Sequence, residues 1–307
     1  MTSPTSFRGS GGRPPAEFGA AALPHTTPAS AIGVPRLLRA ELRWIFRRPR
    51  TLAVLGLLAA LPAVIGIGLT FVDGPPSGAG DGPNNGGDSL LIAAAGNALV
   101  LPIAALTMGL GLLLPLAAAM SSADALAGES SHGTLRSWLL APVSRGRLLV
   151  VKALGVGVVV LVATTSMAVV GVVTGLLLNG TDAVFTLSGT TPGFGAVLGK
   201  IAIAVLWVTL QVWAIAAVAL AISACTEHPM LVVASVLGGV IISSVLQVLD
   251  SLSWLHPFLL NSSWEALADV LRDPVPASGL LEGAFRAGCY VAIGLSLAYA
   301  RMITKDG

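Results

Sequence analysis

Thr51–Val72, TLAVLGLLAALPAVIGIGLTFV, is a run of 22 residues without a charged or amide side chain. At about 1.5 Å of rise per residue, a helix of this length covers the ~30 Å hydrocarbon core of a bilayer. Lipid offers no hydrogen bonds, so every backbone N–H and C=O must be satisfied within the segment, and a continuous apolar helix does this. Much of the chain repeats the same character. Apolar residues make up 54% of its 307 residues and charged residues only 10%, and the mean hydropathy is +0.85. A water-soluble domain carries about 25% charged residues. This chain cannot clothe a surface in water, which excludes a soluble enzyme and predicts an all-α membrane protein.

Upstream of the run, Arg36, Arg39, Arg43, Arg47 and Arg50 form one stripe at 100° per residue. Leu38, Leu42 and Ile45 fall opposite, with Leu37 and Trp44 at the flank. The pattern predicts a basic amphipathic helix over 36–50 on the membrane surface, broken by Pro49 where the bilayer begins. Residues 1–35 are rich in Gly, Pro, Ser and Thr, which predicts a disordered cytoplasmic tail. No apolar core follows a basic start, so the tail does not read as a signal peptide.

Downstream, residues 73–89 form a polar Gly/Pro loop without Lys or Arg. Apolar character returns from Leu90 to about Ser122, a stretch long for one span, with Pro102 and Pro115 as candidates for a kink or a re-entrant entry. A third span is expected over Leu148–Leu178. Residues 197–249 are apolar except at Thr226-Glu227-His228-Pro229, which divides them into a fourth and a fifth. A sixth follows at Leu280–Arg301. The expected plan is one six-span domain over 36–307 behind the tail.

Charge placement orients it. Eight Lys and Arg lie in residues 1–50, four in 123–152 and two at the C-terminus, against Lys200, Arg272 and Arg286 on the other side. The positive-inside rule places both termini in the cytoplasm of a plasma or inner membrane. The spans offer neutral polar residues, among them Asn97, Thr107, Thr164, Ser166, Ser243 and Ser244, as interhelical hydrogen bonding requires. Gln211 and Gln247 are the candidates for lining a translocation path. No proton-relay chain, metal-ligand motif or phosphate-binding GxxxxGK[ST] loop is present, so any ATP that powers the protein has to be bound by another subunit. Cys225 and Cys289 fall at different depths and are not expected to pair. The small-xxx-small pairs Gly171/Gly175 and Gly195/Gly199 permit close helix approach but arise easily among 36 glycines.

Two connections carry pattern of their own. In 124–152, DALAGESSHGTLRSWLLAPVSRGRLLVVK, Leu135, Trp138 and Leu139 stand at i, i+3 and i+4, a short amphipathic helix ahead of Pro142. Ser144 is the expected N-cap of the third span. In 250–279, Ser262-Ser263-Trp264-Glu265 has the capping-box pattern. Trp264, Leu267, Ala268 and Leu271 then share a face, which predicts a short helix on the outer leaflet.

The first of these connections resembles the permease subunits of type-2 ABC exporters. The residues that carry the resemblance are Glu129, Gly133-Thr134-Leu135-Arg136, Pro142-Val143-Ser144-Arg145 and Lys152. Glu41 and Arg47-Arg48-Pro49 are similar to the family's connecting helix before the first span. The resemblance covers roughly residues 36–305. The tail and the sparsely charged turn at 224–229 depart from it. It implies two permeases, alike or different, paired with two ABC ATPase subunits. The 124–147 segment would couple to the ATPase through Glu129, Thr134, Leu135, Arg136, Trp138, Leu139 and Arg145, and 250–279 would form an outer lid. No nucleic-acid partner is expected. The alternatives are a membrane-embedded carrier or enzyme working alone, or a scaffold or sensor that transports nothing.

Overall fold

A computed structural model describes residues 33–71, 93–94, 97, 100–128, 145–180 and 193–304. Residues 1–32 of the tail, the 73–89 loop, Glu129, Thr134, Leu135, Arg136, Trp138, Leu139 and Ser144 lie outside the described residues.

The first helix, α1, runs from Val34 to Ile45, and α2 runs from Pro49 to Thr70. A single helix over 36–50 does not form. The ring of Pro49 disfavours helical geometry in the residue before it, and Arg48 is extended at φ −77°, ψ 123°. Pro49 itself opens α2, where a missing N–H costs nothing. The five arginines of the stripe are exposed, whereas Leu38, Leu42 and Ile45 are half-buried.

The long 90–122 stretch contains α3 (Val100–Gly111) and α4 (Leu113–Ala125), which meet at 55°. The bend lies at Leu112, with φ −151° and ψ −43°. Pro115 is its cause: it has no N–H to give the Gly111 carbonyl, so the helix breaks one turn earlier. Pro102 lies in the first turn of α3, where a proline is tolerated, and makes no bend. Among the described residues five other helices are long and apolar enough to cross a membrane, and α3–α4 makes a sixth if it crosses as one bent span. They are α2, α5 (Arg145–Asn179), α6 (Phe194–Cys225), α7 (Pro229–Val248) and α8 (Ala277–Thr304). Together they make an all-α membrane protein. At 35 residues α5 is about 52 Å long, well beyond the hydrocarbon thickness. Gly180, at φ +75°, caps it by donating its N–H to the Leu176 carbonyl at 3.0 Å.

Helix α6 is the centre, packed on α8, α4 and α5, and α5 in turn holds α1, α2 and α3. Leu106, Leu110, Met167, Val208, Val212 and Leu220 are buried in the core between them. Small residues set the closest approaches. A Cβ on Gly294 would lie 2.7 Å from the Ala217 carbonyl carbon, and one on Gly171 would lie 2.7 Å from the Pro102 Cα. Gly195 and Gly199, the second small-residue pair, face open space. Polar groups join the helices as well: Thr164 and Thr209 share a 2.8 Å hydroxyl contact, and Ser122 Oγ donates to the Ala216 carbonyl at 3.1 Å. Trp207 and Trp213 donate to the carbonyls of Leu280 and Ala153 at 2.9 and 3.2 Å. Thr107 and Ser166 instead bond back to carbonyls of their own helices.

The 250–279 connection forms two 3-10 helices, Asp250–Phe258 and Leu260–Leu271. The expected capping box does not form. The second helix starts before it, and Ser262 Oγ donates backwards to the Leu259 carbonyl at 2.8 Å. Leu267 and Leu271 point into the protein and are fully buried against α8, α6 and α3. The bundle interior, rather than lipid, takes the most apolar part of this stripe. Three cations hold it in place. Lys200 Nζ donates to the carbonyls of Arg272 and Val270 at 2.6 and 3.4 Å. Arg286 donates to the Leu259 carbonyl at 3.0 Å and to Ser262 Oγ, and Arg272 pairs with Asp269 at 3.5 Å. Lysine at the C-terminal carbonyls of a helix also meets the favourable end of its dipole.

Candidate functional site

Four chain segments converge where α1 passes over the start of α5. Glu41 on α1 and Lys152 on α5 meet there, with Lys152 Nζ 2.8 Å from Glu41 Oε1. The side chains are only 8% and 1% exposed. Buried charges are retained only where each has a partner, so this contact ties α1 to the first two turns of α5. Gly155, one turn further along α5, makes the approach possible: a Cβ there would stand 3.3 Å from Glu41 Cγ and 3.4 Å from Ile45 Cδ1.

A second tie lies beside it. Asp124, in the last turn of α4, is 3.5 Å from Arg48 and 3.6 Å from Arg50. Arg48 stacks on the Trp44 ring, 3.2 Å from its centroid, and Lys152 Nζ stands 5.6 Å from the same centroid. The ring thus faces two cations and joins both ion pairs into one cluster. The end of α4 is also locked to α6: Ser223 Oγ accepts the Ala127 N–H at 2.9 Å and donates to the Ala123 carbonyl at 3.5 Å. Asp124 and Lys152 stand at the two ends of the 124–152 connection. Both ends of that connection are therefore anchored to the α1–α2 junction.

The family model for ABC-2 family transporter proteins matches residues 36–260, roughly three quarters of the chain. The chain belongs to this family. It is thus a multi-pass membrane permease of an ABC transporter, a family that works with an ABC ATPase subunit. No curated protein matches it in sequence.

In this ABC-2 permease the anticipated site residues fall into three groups. Glu41, Trp44 and Arg48 come together in the junction, while Arg47 points to solvent. Arg145 opens α5, and the other six residues of the anticipated coupling set lie outside the described residues. Gln211 lies in α6, wholly buried, with neither amide atom hydrogen-bonded among the described residues. Gln247 is half-buried near the end of α7, and neither glutamine belongs to the junction cluster.

Three residues of the permease's junction carry more than their sequence reading gave them. Lys152 had counted only as a positive-inside charge and a motif position, within spans expected to be nearly free of ionisable residues. It is the most buried cation among the described residues. Asp124 and Arg50 had no site role. A signal was present for the buried pair: Glu41 lies at i+3 from Leu38 and i−4 from Ile45, on the apolar face of its own helix.

Proposed function

We propose that this permease is the membrane subunit of an ATP-driven exporter, coupled through residues 124–147 to a separately encoded ATPase that holds the ATP. Glu129, Thr134, Leu135, Arg136, Trp138, Leu139 and Arg145 make the contact. A second permease, identical or a paralogue, completes the complex. Both termini face the cytoplasm of the plasma or inner membrane, and α1 lies along the membrane surface with its arginines toward lipid headgroups.

The observation that carries this reading is the double anchoring of the connection. Asp124 and Lys152 flank it, and each is ion-paired to the α1–α2 junction. A closing ATPase that pushes on the connection displaces the ends of α4 and α5 together, because both are held to one junction. Lys152 stands seven residues, about 10 Å, inside α5 from Arg145, so the force enters the spans and is not absorbed in a loose loop. α5 runs on as one unbroken helix to Asn179, a rigid element able to carry it across.

Site-directed crosslinking tests the reading. A photoreactive group at Arg136 or Trp138, in membranes that contain the assembled complex, is expected to capture the ATPase subunit. Capture of lipid alone would overturn the coupling role. The purified permease is expected to neither bind nor hydrolyse ATP, and stoichiometric turnover without a partner would remove the need for one.

A further inference from the structure

We infer that the cleft between α1, α2, α4 and α5 is a binding site for one anionic phospholipid. The cleft is open at its mouth and encloses about 50 Å³, a narrow slot and not a chamber. Its depth is apolar, lined by Val54, Leu55, Leu114, Val156, Val159 and Val160. Its mouth is polar and charged, formed by Trp44, Arg48, Arg50 and Asp124. An apolar slot that opens onto a charged rim fits an amphiphile, with acyl chain below and headgroup above.

The sign of the headgroup follows from the charges. Lys152 and Glu41 neutralise each other below the rim. At the rim two arginines share one carboxylate at 3.5 and 3.6 Å, which leaves one positive charge in excess among these residues. Arg50 is 70% exposed, so its pairing with Asp124 is screened by water and can exchange for a headgroup. The N-terminus of α2 adds to the attraction: Arg48 and Arg50 flank its first residue, Pro49, and no side chain caps it. Trp44, 42% exposed, stands at the same level, where an indole ring suits the boundary between headgroups and acyl chains. A choline headgroup would bring its own cation against the arginines, whereas a glycerol phosphate would not. Free phosphate would satisfy the rim and leave the apolar slot unused, so the occupant is the lipid.

The inference rests on the membrane placement of the chain but not on the ATPase partner, so the two can fail separately. The full chain, purified in detergent and stripped of lipid, is titrated with phosphatidylglycerol or phosphatidylcholine, and retained lipid is counted by native mass spectrometry. Phosphatidylglycerol is expected to be retained several-fold over phosphatidylcholine. Arg50→Glu is expected to abolish that preference without altering the gel-filtration profile, since Arg50 is largely exposed. Val54→Trp, from the half-buried face of α2, fills the slot and lowers retention of both lipids. If it does not fold, Arg48→Gln provides the second test by narrowing the preference. Equal retention of the two lipids, an unchanged preference in Arg50→Glu, or displacement by inorganic phosphate alone would overturn the site.

Discussion

Replacing Lys152 with methionine removes the cation 2.8 Å from a buried carboxylate while keeping most of the side-chain volume. At that distance, with an effective dielectric of about 20, the gross attraction between Lys152 and Glu41 is about 6 kcal/mol. Most of it offsets the cost of taking both charges out of water, so the intact pair contributes little net stability. Breaking it from one side is different, because the remaining charge keeps its burial cost and loses its compensation. The expected loss is about 3–5 kcal/mol for Lys152→Met, with a smaller loss for Glu41→Gln, whose amide still accepts a hydrogen bond from the lysine. Replacing both, Glu41→Leu with Lys152→Met, removes the charges together and is expected to cost less than Lys152→Met alone. The assay is unfolding of the full chain in mixed micelles, followed by tryptophan fluorescence over a denaturing-detergent titration, for Lys152→Met, Glu41→Leu and the double variant that combines them. A coupling energy near zero, with the losses simply additive, would refute the argument that the two charges compensate each other. A Lys152→Met loss below about 1 kcal/mol would do the same.

Other outcomes follow from particular contacts. Gly294→Ala places a methyl against the Ala217 backbone at 2.7 Å and is expected to destabilise by about 1–3 kcal/mol in the same titration. Gly239→Ala, which meets nothing within 4 Å, is expected to stay within about 0.5 kcal/mol. Lys200→Met removes the donor to the Arg272 and Val270 carbonyls, and amide hydrogen exchange over 260–272 is expected to accelerate while that over α6 is unchanged. With Cys225 and Cys289 first replaced, a cysteine at Asn84 is expected to react with an impermeant thiol reagent outside the cell, and one at Ser131 is not. The reverse pattern would invert the orientation.

The spans were legible because their signal is local. Twenty apolar residues in a row need lipid whatever else the chain does, and the Thr226–His228 break between α6 and α7 shows in the polarity of those few residues. The bend at Leu112 was half legible: Pro115 was one of two candidates, and the choice depends on where each proline falls within its helix. The face of Trp264, Leu267, Ala268 and Leu271 was legible as apolar, but whether lipid or protein covers it was not, since both solvents favour the same residues. The capping box failed for a related reason. Ser262 has a backbone carbonyl within its own turn to bond, and the sequence pattern does not weigh that competitor.

The amino-acid sequence by itself determined the solvent, the helical class and the distribution of cations along the chain. Each depends on composition and on neighbours within a few residues. Only the tertiary structure decided which charges meet. Glu41 and Lys152 are 111 positions apart, and each alone reads as an ordinary charge near a membrane surface. Burial makes them a pair, because a carboxylate and an ammonium held out of water must find one another or lose their charge. Packing of α1 over Gly155 brings them within reach. The same packing opens the cleft beneath Trp44, a feature that belongs to no single helix.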